Sequence, residues 1–282
     1  MKVSVCMITY NHEKYIKEAI DGVLKQNCKH DFELVIGDDF STDDTYNICL
    51  DYALKYPDKI RLLESKSNIG VMNNFIRTLN NCSGEYVALC EGDDFWLNPD
   101  KLNKQINYLD FNTNCQLSFH KVNAIKNNKL QKDTRFYGFK SIFKFEDLIT
   151  DWNVNTCSIV FRNNFKFPEW IKDVYAGDKF IVYFNLMLGY AKYFNEPMAV
   201  YRDHSENITN TYQKKNIKKV IHNYLTHLDK FSKIYPQKNK SINKAKKISK
   251  ISYLMGTNKS LKLKLEYFKL VNNKLNFIIN KI

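Results

Sequence analysis

A short acidic loop, Glu91-Gly92-Asp93-Asp94, follows an apolar run that ends at Cys90 and precedes Phe95 and Trp96. Carboxylates this close repel one another, so the loop needs a positive group to offset its charge. Mg²⁺ and Mn²⁺ prefer oxygen ligands and are often shared between one or two carboxylates and substrate phosphates. The loop therefore predicts a divalent cation site, and an acidic turn that caps a helix near Pro99 is the alternative.

A second acidic pair, Asp38-Asp39, ends the segment FELVIGDD. Residues 41–44 (Ser-Thr-Asp-Asp) suit the cap and first turn of a helix, so capping leaves Asp38 and Asp39 unexplained. A carboxylate there could accept hydrogen bonds from the base or ribose of a nucleotide. A third polar loop, Thr9-Tyr10-Asn11, adds hydroxyl and amide groups after an earlier apolar run.

Strands and helices alternate through the first hundred residues, and this order decides where the three loops lie. Apolar and β-branched runs predict strands over 2–9, 32–39, 60–65 and 86–91. Apolar residues at helical spacing predict the intervening helices, over 12–26, from about 41 to 55, and over 70–82. The pattern indicates an α/β fold with a mostly parallel sheet covered by helices. Because ligands bind at the carboxyl ends of such strands, the loops would share one rim and outline a nucleotide site.

The remaining chain is less regular. Strands are predicted over 116–125, 156–164 and 193–204, and helices near 145–150 and over 177–191. From residue 213 onward the pattern predicts Lys-studded amphipathic helices over 214–235, 240–256 and 258–281. We therefore expect a catalytic domain at 1–212 and a basic, α-helical C-terminal extension at 213–282.

Charge divides at the same boundary. The chain has a net charge of +13, of which residues 213–282, with 18 Lys, no Arg and two acids, supply +16, leaving −3 for the rest. A basic helical extension favours peripheral contact with an anionic membrane, and a homo-oligomer contact comes next. Nucleic acid is the least favoured partner because Arg is absent and no known module is visible. A solvated Lys-rich face is the remaining alternative.

Seven scattered cysteines without a Cys-x-x-Cys pair favour reduced thiols. No stretch reaches the roughly 18 to 20 apolar residues of a membrane span, and the N-terminus does not resemble a signal peptide. These features predict a cytoplasmic protein that could associate with the inner face of the plasma membrane.

Taken in order, VSVCMITYNHEKYIKEAI, FELVIGDDFSTDDT, NIGVMNNF and GEYVALCEGDDFW resemble the inverting family 2 glycosyltransferases, which have the GT-A fold. The resemblance covers roughly residues 1–205, and the EGDDFW form resembles members that build bacterial surface polysaccharides. It implies transfer of a sugar from a nucleoside diphosphate sugar, with a UDP-sugar favoured, to a hydroxyl of a glycan or lipid-linked acceptor. The products would be capsule, O-antigen or lipopolysaccharide, and the implied cofactor is Mn²⁺ or Mg²⁺.

The resemblance also implies roles for single residues in this donor site. Asp39 would hold the base, with Thr9 and Tyr10 beside it. Asp93 would contact the ribose, and Asp94 would be the metal ligand. The further candidates for donor binding are Asn11, Asp38 and Asn74.

Inverting transfer needs a general base that deprotonates the acceptor hydroxyl, and Asp178 in VYAGDKF lies where similar enzymes keep it. A helix N-cap is the alternative for Asp178. His204 in VYRDH could be a metal ligand, a diphosphate contact or a structural histidine, and Arg202 could pair with phosphate or with an acid. The remaining candidates for acceptor or donor contacts are Glu91, Trp96 and His120. For Trp96 and His120, core packing is the alternative.

Two other functions stay open. A sugar-nucleotide nucleotidyltransferase would want a glycine-rich loop after the first strand, where this chain has Thr9-Tyr10-Asn11-His12. A non-catalytic module that binds nucleotides or nucleic acid would suit the basic extension but leaves Asp178 and both acidic loops unexplained. The glycine motifs of dinucleotide-binding folds and of phosphate loops are missing from the sequence.

Overall fold

A computed structural model describes residues 1–127, 129–132, 140–152, 154–207, 216–257 and 266. They belong to two compact units. The first comprises 1–144, 154–173 and 177–204, and the second comprises 145–153, 174–176 and the chain from Ser205 onward. The domain boundary predicted at 212/213 lies outside the described residues and stays a prediction.

The first unit is built on one sheet. Its strands within the described ranges are β1 Val3–Thr9, β2 Phe32–Asp38, β3 Ile60–Leu63, β4 Tyr86–Leu89, β5 Phe95–Trp96, β6 Cys115–Lys126, β7 Lys129–Gln131, β8 Ile142–Phe143, β9 Val160–Arg162 and β10 Tyr190–Asp203. They lie in the order β3-β2-β1-β4-β9-β6-β10-β5, with β7 beside β6 and β8 beside β10. The neighbours β3, β2, β1 and β4 are parallel, as are β6 and β10, whereas β9 runs antiparallel between β4 and β6.

The helices of the described chain are α1 Ile16–Leu24, α2 Thr45–Lys55, α3 Val71–Asn80, α4 Lys101–Phe111, α5 Phe145–Leu148, α6 Gly177–Leu188, α7 Ile217–Ile234 and α8 Asn239–Thr257. The α/β prediction, a mostly parallel sheet flanked by helices, is confirmed. Several ends differ from the sequence prediction. The strand expected over 156–164 opens with a 3₁₀ turn at Thr156–Ser158, and β9 itself is confined to Val160–Arg162.

The central strands are buried on both faces, which explains their continuous apolar sequence. Val3, Val5 and Met7 of β1 are all 0% exposed. On α1, Ile16, Ile20 and Val23 are also 0% exposed, and their spacing puts them on the one helical stripe that faces the core. Each such side chain contributes about 1.5–3 kcal/mol through removal from water.

The parallel register brings three polar loops to one edge of this sheet. Thr9 at the end of β1 pairs with Asp38 at the end of β2. Beyond the strands, the Asp39 N–H donates to the Thr9 carbonyl at 2.9 Å and the Gly92 N–H donates to the Ile8 carbonyl at 2.9 Å. The loops after β1, β2 and β4 therefore begin side by side.

The second unit contains α5, α7 and α8. Leu228, Phe231 and Ile242 are 0% exposed, and the rings of Phe145 and Phe231 stack with centroids 5.6 Å apart. Lys238 Nζ pairs with Glu146 at 2.6 Å. Two of the three Lys-rich helices predicted for the extension are thus present, and the third, over 258–281, falls outside the described residues. Within the described part of the chain, no helix combines the length and apolarity needed to cross a bilayer.

Lys101, at the start of α4, carries a buried amine without a hydrogen-bond partner among the described residues. Its Nζ lies 4.0 Å from the centroid of the Trp96 ring. Burial lowers the pKa of Lys101 to about 7, although nearby Cys90 and Cys157 oppose the shift. Between pH 7 and the ordinary lysine pKa the unfolded chain therefore binds a proton that the folded chain does not, so stability rises with pH across this window.

We expect Lys101→Met to raise the free energy of unfolding by about 1–3 kcal/mol at pH 7, since it removes an unpaired buried polar group. The gain should shrink as pH rises through the ordinary lysine pKa of 10.5, above which the wild-type amine is neutral in both states. Urea unfolding at pH 7 and pH 9 measures this, with exposed Lys17→Met as the matched control. A Lys101→Met protein less stable than wild type at pH 7 would contradict the prediction.

Candidate functional site

Asp93 is the charged centre of the rim. Its Oδ2 lies 3.0 Å from His204 Nε2 and 3.8 Å from His12 Nε2. Thr9 Oγ1 is 3.1 Å from His12 Nδ1, which links the imidazole to the end of β1. Burial by itself would raise the pKa of Asp93, but the hydrogen bond with His204 and the charges of both histidines outweigh it and lower that pKa. Asp93 is therefore an ionised carboxylate between two imidazoles.

The Asp93 carboxylate and the His204 imidazole form a donor set that fits a divalent cation. Carboxylate oxygen and imidazole nitrogen are both ligands that Mn²⁺ accepts. Within the described ranges, no group of three or more His, Cys, Asp or Glu side chains is arranged to hold a metal by itself. An ion at Asp93 would therefore need further ligands from water or from substrate phosphates, as is usual for ions of this class.

Asp94 faces the interior of the protein. It is 2% exposed, and its Oδ1 accepts the Arg202 backbone N–H at 2.9 Å. Burial, followed by the charges of Asp93 and Glu91, raises the pKa of Asp94 well above its ordinary value. The metal-ligand role of Asp94 stays a prediction, and Asp93, whose carboxylate faces His204 and His12, is a second candidate.

Arg202 holds the acidic loop in place. Its Nη1 donates to the Asp93 carbonyl at 2.7 Å, and its Nη2 pairs with Glu18 of α1. The guanidinium also lies between two aromatic rings, 5.1 Å from the Tyr15 centroid and 4.6 Å from the Phe95 centroid. The sequence predicted that Arg202 pairs with phosphate or with an acid, and the structure shows the pair with an acid, Glu18.

Glu91 is a second perturbed carboxyl of the loop. Its Oε2 is buried and has no hydrogen-bond partner in the part of the chain that the structure describes. Burial, then the charge of Asp93, raises the pKa of Glu91 to about 8, and Asp178 adds to the shift. Glu91 is therefore mostly protonated at pH 7, and it lies within electrostatic range of both Asp93 and Asp178.

Asp178 lies in the first turn of α6. Burial raises its pKa, while the charge of Lys179 and the backbone N–H groups of Lys179 and Asp178 oppose the shift. These backbone contacts are those of a residue at a helix start, so the capping alternative and the base prediction are compatible. A Cβ at Gly177 would collide with the Met72 side chain of α3. This close approach sets the start of α6 against α3.

Asp38 and Asp39 both hold loop backbone. The Asp39 carboxylate accepts the N–H groups of Ile69 and Gly70 at 2.8 and 2.9 Å. Asp38 Oδ2 accepts the Ser41 N–H at 2.9 Å. Burial raises the pKa of Asp39, and the two backbone N–H groups counter part of that shift. The donor-binding roles of both residues stay predictions, alongside these structural ones.

The loop after β1 is fixed by Asn11, whose Oδ1 accepts the Thr42 N–H at 2.8 Å. Asn11 has φ +56° and Phe40 has φ +64°, a left-handed backbone that costs a non-glycine residue roughly 1–2 kcal/mol. Such strain concentrates at ligand sites. Phe40 is 50% exposed and Tyr10 is 42% exposed, so both rings are available to a ligand at this edge.

Three predicted contact residues face the interior instead. Asn74 is 1% exposed and its Nδ2 donates to the Gly37 carbonyl at 2.7 Å, which joins α3 to β2. Trp96 is 3% exposed and its Nε1 donates to the Cys157 carbonyl at 3.0 Å. His120 is buried too, and burial lowers its pKa well below the ordinary value. Core packing, the alternative for Trp96 and His120, describes both side chains in this structure, and their contacts with a donor or acceptor stay predictions.

Sequence reasoning missed His12, Tyr15 and Phe40. His12 directly follows the polar loop Thr9-Tyr10-Asn11, and this adjacency was the available signal. The ring of Tyr15 lies 4.9 Å from that of His204, centroid to centroid. Its spacing in the sequence indicated only the apolar face of a helix.

Gly92 permits the close approach of the loops after β1 and β4. A Cβ there would lie 2.6 Å from Thr9 Oγ1 and 3.0 Å from His12 Nδ1. We expect Gly92→Ala to displace His12 and weaken nucleotide-sugar binding about tenfold or more, with a loss of about 1–3 kcal/mol in stability. Calorimetric titration and thermal unfolding measure the two effects. Gly92→Ser should be worse, and wild-type affinity in both variants would refute the argument.

The fold is that of solved glycosyltransferases of the GT-A type. Staphylococcus aureus TarS 1–349 in complex with UDP-GlcNAc aligns with a TM-score of 0.67 at 17% identity, over 96% of this chain and 79% of that one. The mannosyltransferase PcManGT from Pyrobaculum calidifontis, in complex with GDP-Man and Mn²⁺, aligns with a TM-score of 0.60 at 21% identity. This alignment covers 82% of the present chain and 64% of PcManGT. The GT-A prediction is confirmed.

Residues 4–167, more than half of the chain, match the model of glycosyl transferase family 2, and the chain belongs to that family. An uncharacterized protein of Mycobacterium tuberculosis is 36% identical over 208 residues, which is 73% of this chain. The chain spans only 60% of that relative's length. The dTDP-rhamnosyl transferase RfbG of Shigella flexneri is 30% identical over 220 residues, covering 71% of this chain and 72% of RfbG.

Proposed function

We propose that this protein is an inverting glycosyltransferase of bacterial surface-polysaccharide synthesis. It transfers a sugar from a nucleoside diphosphate sugar to a hydroxyl of a glycan or lipid-linked acceptor, and a UDP-sugar is the favoured donor. The observation that carries the proposal is the ionised Asp93 between His204 and His12 at the carboxyl edge of the sheet. Family membership and the name of the relative RfbG, a dTDP-rhamnosyl transferase, support the same class.

Donor binding falls to the loops after β1 and β2. Tyr10 and Phe40 offer exposed rings to a base. The predicted contact of Asp39 with the base would use the lone pairs that its bonds to the Ile69 and Gly70 N–H groups leave. The similar proteins differ in nucleobase: the TarS and PcManGT structures hold UDP-GlcNAc and GDP-Man, and RfbG is a dTDP-rhamnosyl transferase by name.

Asp93 and His204 would hold Mn²⁺ or Mg²⁺, and Asp94, the ligand that the resemblance implies, is the alternative to Asp93. When bound, the ion supplies positive charge against the diphosphate as it leaves the sugar. His12, whose Nε2 lies 3.8 Å from Asp93 Oδ2, would add a nitrogen ligand for the ion or a proton for the diphosphate at the same place. The neutral Glu91 beside this pair limits the negative charge that a diphosphate would otherwise meet.

Asp178 would act as the general base. Its carboxylate takes the proton of the acceptor hydroxyl while that oxygen attacks the anomeric carbon, and the bond from that carbon to the diphosphate oxygen breaks. Attack from the side opposite the leaving group inverts the configuration. A raised pKa strengthens Asp178 as a base relative to an ordinary aspartate, provided that the carboxylate is ionised at the working pH.

Thermal unfolding with UDP-, dTDP- and GDP-sugars, each with Mn²⁺ or EDTA, tests the proposal. A ligand at 100 times its Kd stabilises the folded state by about 2.7 kcal/mol, so one donor class should raise the melting temperature when Mn²⁺ is present. An unchanged melting temperature with every donor would refute the proposed function. Equal increases in Mn²⁺ and in EDTA would refute the role of the metal.

For the basic extension, contact with a membrane and contact between copies of the chain stay proposals that are separate from the catalytic one. Contact with an anionic membrane would suit a lipid-linked acceptor, and a contact between copies of the chain is the other outcome. Deleting 213–282 should weaken binding to anionic vesicles in a salt-dependent way.

A further inference from the structure

A cavity of about 470 Å³ in the second unit lies along one side of α7. Its wall on that helix includes Lys218, Lys219, His222, Asn223 and His227, and Tyr175 completes it from the segment 174–176. None of the described residues that line it is acidic. The lining residues belong to the second unit, and the proposed reaction does not use them.

Helical spacing places these side chains together. Lys218 and His222 are four residues apart, as are Lys219, Asn223 and His227, so they form two adjacent stripes on one face of α7. Asn223 Oδ1 accepts the Tyr175 N–H at 3.1 Å, which joins the segment 174–176 to the helix. The His227 Nδ1–H donates to the Asn223 carbonyl at 2.8 Å. The wall is thus held by bonds within the unit.

The charge of this cavity is not neutralised by the described protein. Lys218 and Lys219 are exposed, and neither makes an ion pair or hydrogen bond with a described residue. Two acids of the same unit are engaged elsewhere: Glu146 pairs with Lys238, and Asp229 pairs with Lys246. Two ammonium groups and an imidazole therefore face a concave space with no carboxylate, which raises the local concentration of anions.

We propose that this cavity binds the phosphate of a sugar phosphate. The ammonium groups of Lys218 and Lys219 and the imidazole of His222 make charge-assisted hydrogen bonds to phosphate oxygens. A bare phosphate would leave most of the volume empty, whereas cavities of this size hold small organic ligands. Tyr175, 40% exposed, offers an aromatic face against which the apolar side of a sugar ring packs.

The shared chemistry is a phosphate ester on a sugar, whether free or part of a phosphorylated glycan. Lys218, Lys219 and His222 are exposed, but they border a concavity that has an aromatic wall, whereas a membrane surface needs only a flat Lys-rich face. The proposal does not depend on sugar transfer, because the cavity's occupancy is measured without a donor.

Imidazole ¹H–¹³C NMR of the full chain tests it, with glucose 1-phosphate, inorganic phosphate and glucose as separate probes. The His222 signal is assigned with His222→Gln. We expect that signal to shift in a saturable way with glucose 1-phosphate, with a Kd at least tenfold lower than for phosphate or glucose. Lys218→Ala/Lys219→Ala should abolish the shift, whereas the matched pair Lys233→Ala/Lys240→Ala, both exposed, should keep it.

Equal weakening in both double variants would overturn the proposal, since diffuse charge would then explain the binding. Equal affinity for inorganic phosphate would overturn the sugar part. Vesicles of phosphatidylcholine with phosphatidylglycerol provide the last arm. If they shift the His222 signal in competition with glucose 1-phosphate, and only when Lys218 and Lys219 are present, a lipid headgroup is the occupant and the sugar phosphate is rejected. A failed donor screen with an intact His222 response would affect only the proposed function.

Discussion

Asp178→Asn should reduce sugar transfer by about 10²–10⁴-fold, the usual contribution of a general base, while the affinity for the nucleotide sugar stays unchanged. The amide keeps the size of the side chain and its place in the first turn of α6, but it cannot accept the proton of the acceptor hydroxyl. Turnover of labelled donor and calorimetric donor binding separate the two quantities.

The exposed Asp51→Asn is the matched control and should behave as wild type. In wild type, the acid limb of kcat/KM should lie above the pH expected for an ordinary aspartate, because burial raises the pKa of Asp178. Activity should therefore fall as pH falls through this raised value, where the carboxylate is protonated. Normal turnover in Asp178→Asn would leave the residue as a helix cap only.

Asp93→Asn should remove metal-dependent donor binding. In Mn²⁺ its affinity for the donor should be at least about 100-fold lower than that of wild type, and replacing Mn²⁺ with EDTA should lower the variant's affinity little further. The change deletes the ionised carboxylate between His204 and His12 and leaves only nitrogen and neutral oxygen donors for a hard cation. Titration of UDP with Mn²⁺ or EDTA measures the difference.

Asp94→Asn is the matched comparison for this experiment. Asp94 is buried and its Oδ1 accepts the Arg202 N–H, and the oxygen of an amide of the same shape can still accept that N–H. We expect this variant to retain most of its metal-dependent binding. The reverse result would be metal-dependent UDP binding that is unchanged in Asp93→Asn and lost in Asp94→Asn. It would identify Asp94 as the metal ligand, as the sequence motif predicts.

The difference between Asp93 and Asp94 shows the limit of reasoning from spacing. Neighbouring carboxylates in a loop are chemically equivalent in a sequence, and only their surroundings distinguish them. Arg202, more than a hundred residues later, takes the Asp94 carboxylate with its backbone N–H and the Asp93 carbonyl with its side chain. That pairing is set by the antiparallel contact of β5 with β10, which no local pattern encodes.

Trp96 and Asn74 show the same limit for polar and aromatic residues at loop edges. An indole after an acidic loop suggests a sugar platform, yet Trp96 packs under the buried amine of Lys101. Asn74 reaches across to the Gly37 carbonyl. Burial of a side chain depends on which elements cover it, and this is a property of the assembled layers.

The sequence by itself determined the alternation of strands and helices, the edge at which ligands bind and the family, because hydrophobic periodicity and ordered motifs are local. It also named Asp93, Asp178 and His204 as candidate site residues, and their roles stay proposals. Tertiary structure decided that His12 and His204 meet at Asp93, that Asp94 turns inward, and that lysines of α7 surround a cavity with Tyr175. These outcomes depend on contacts between distant segments, whose energies arise only when the chain is folded.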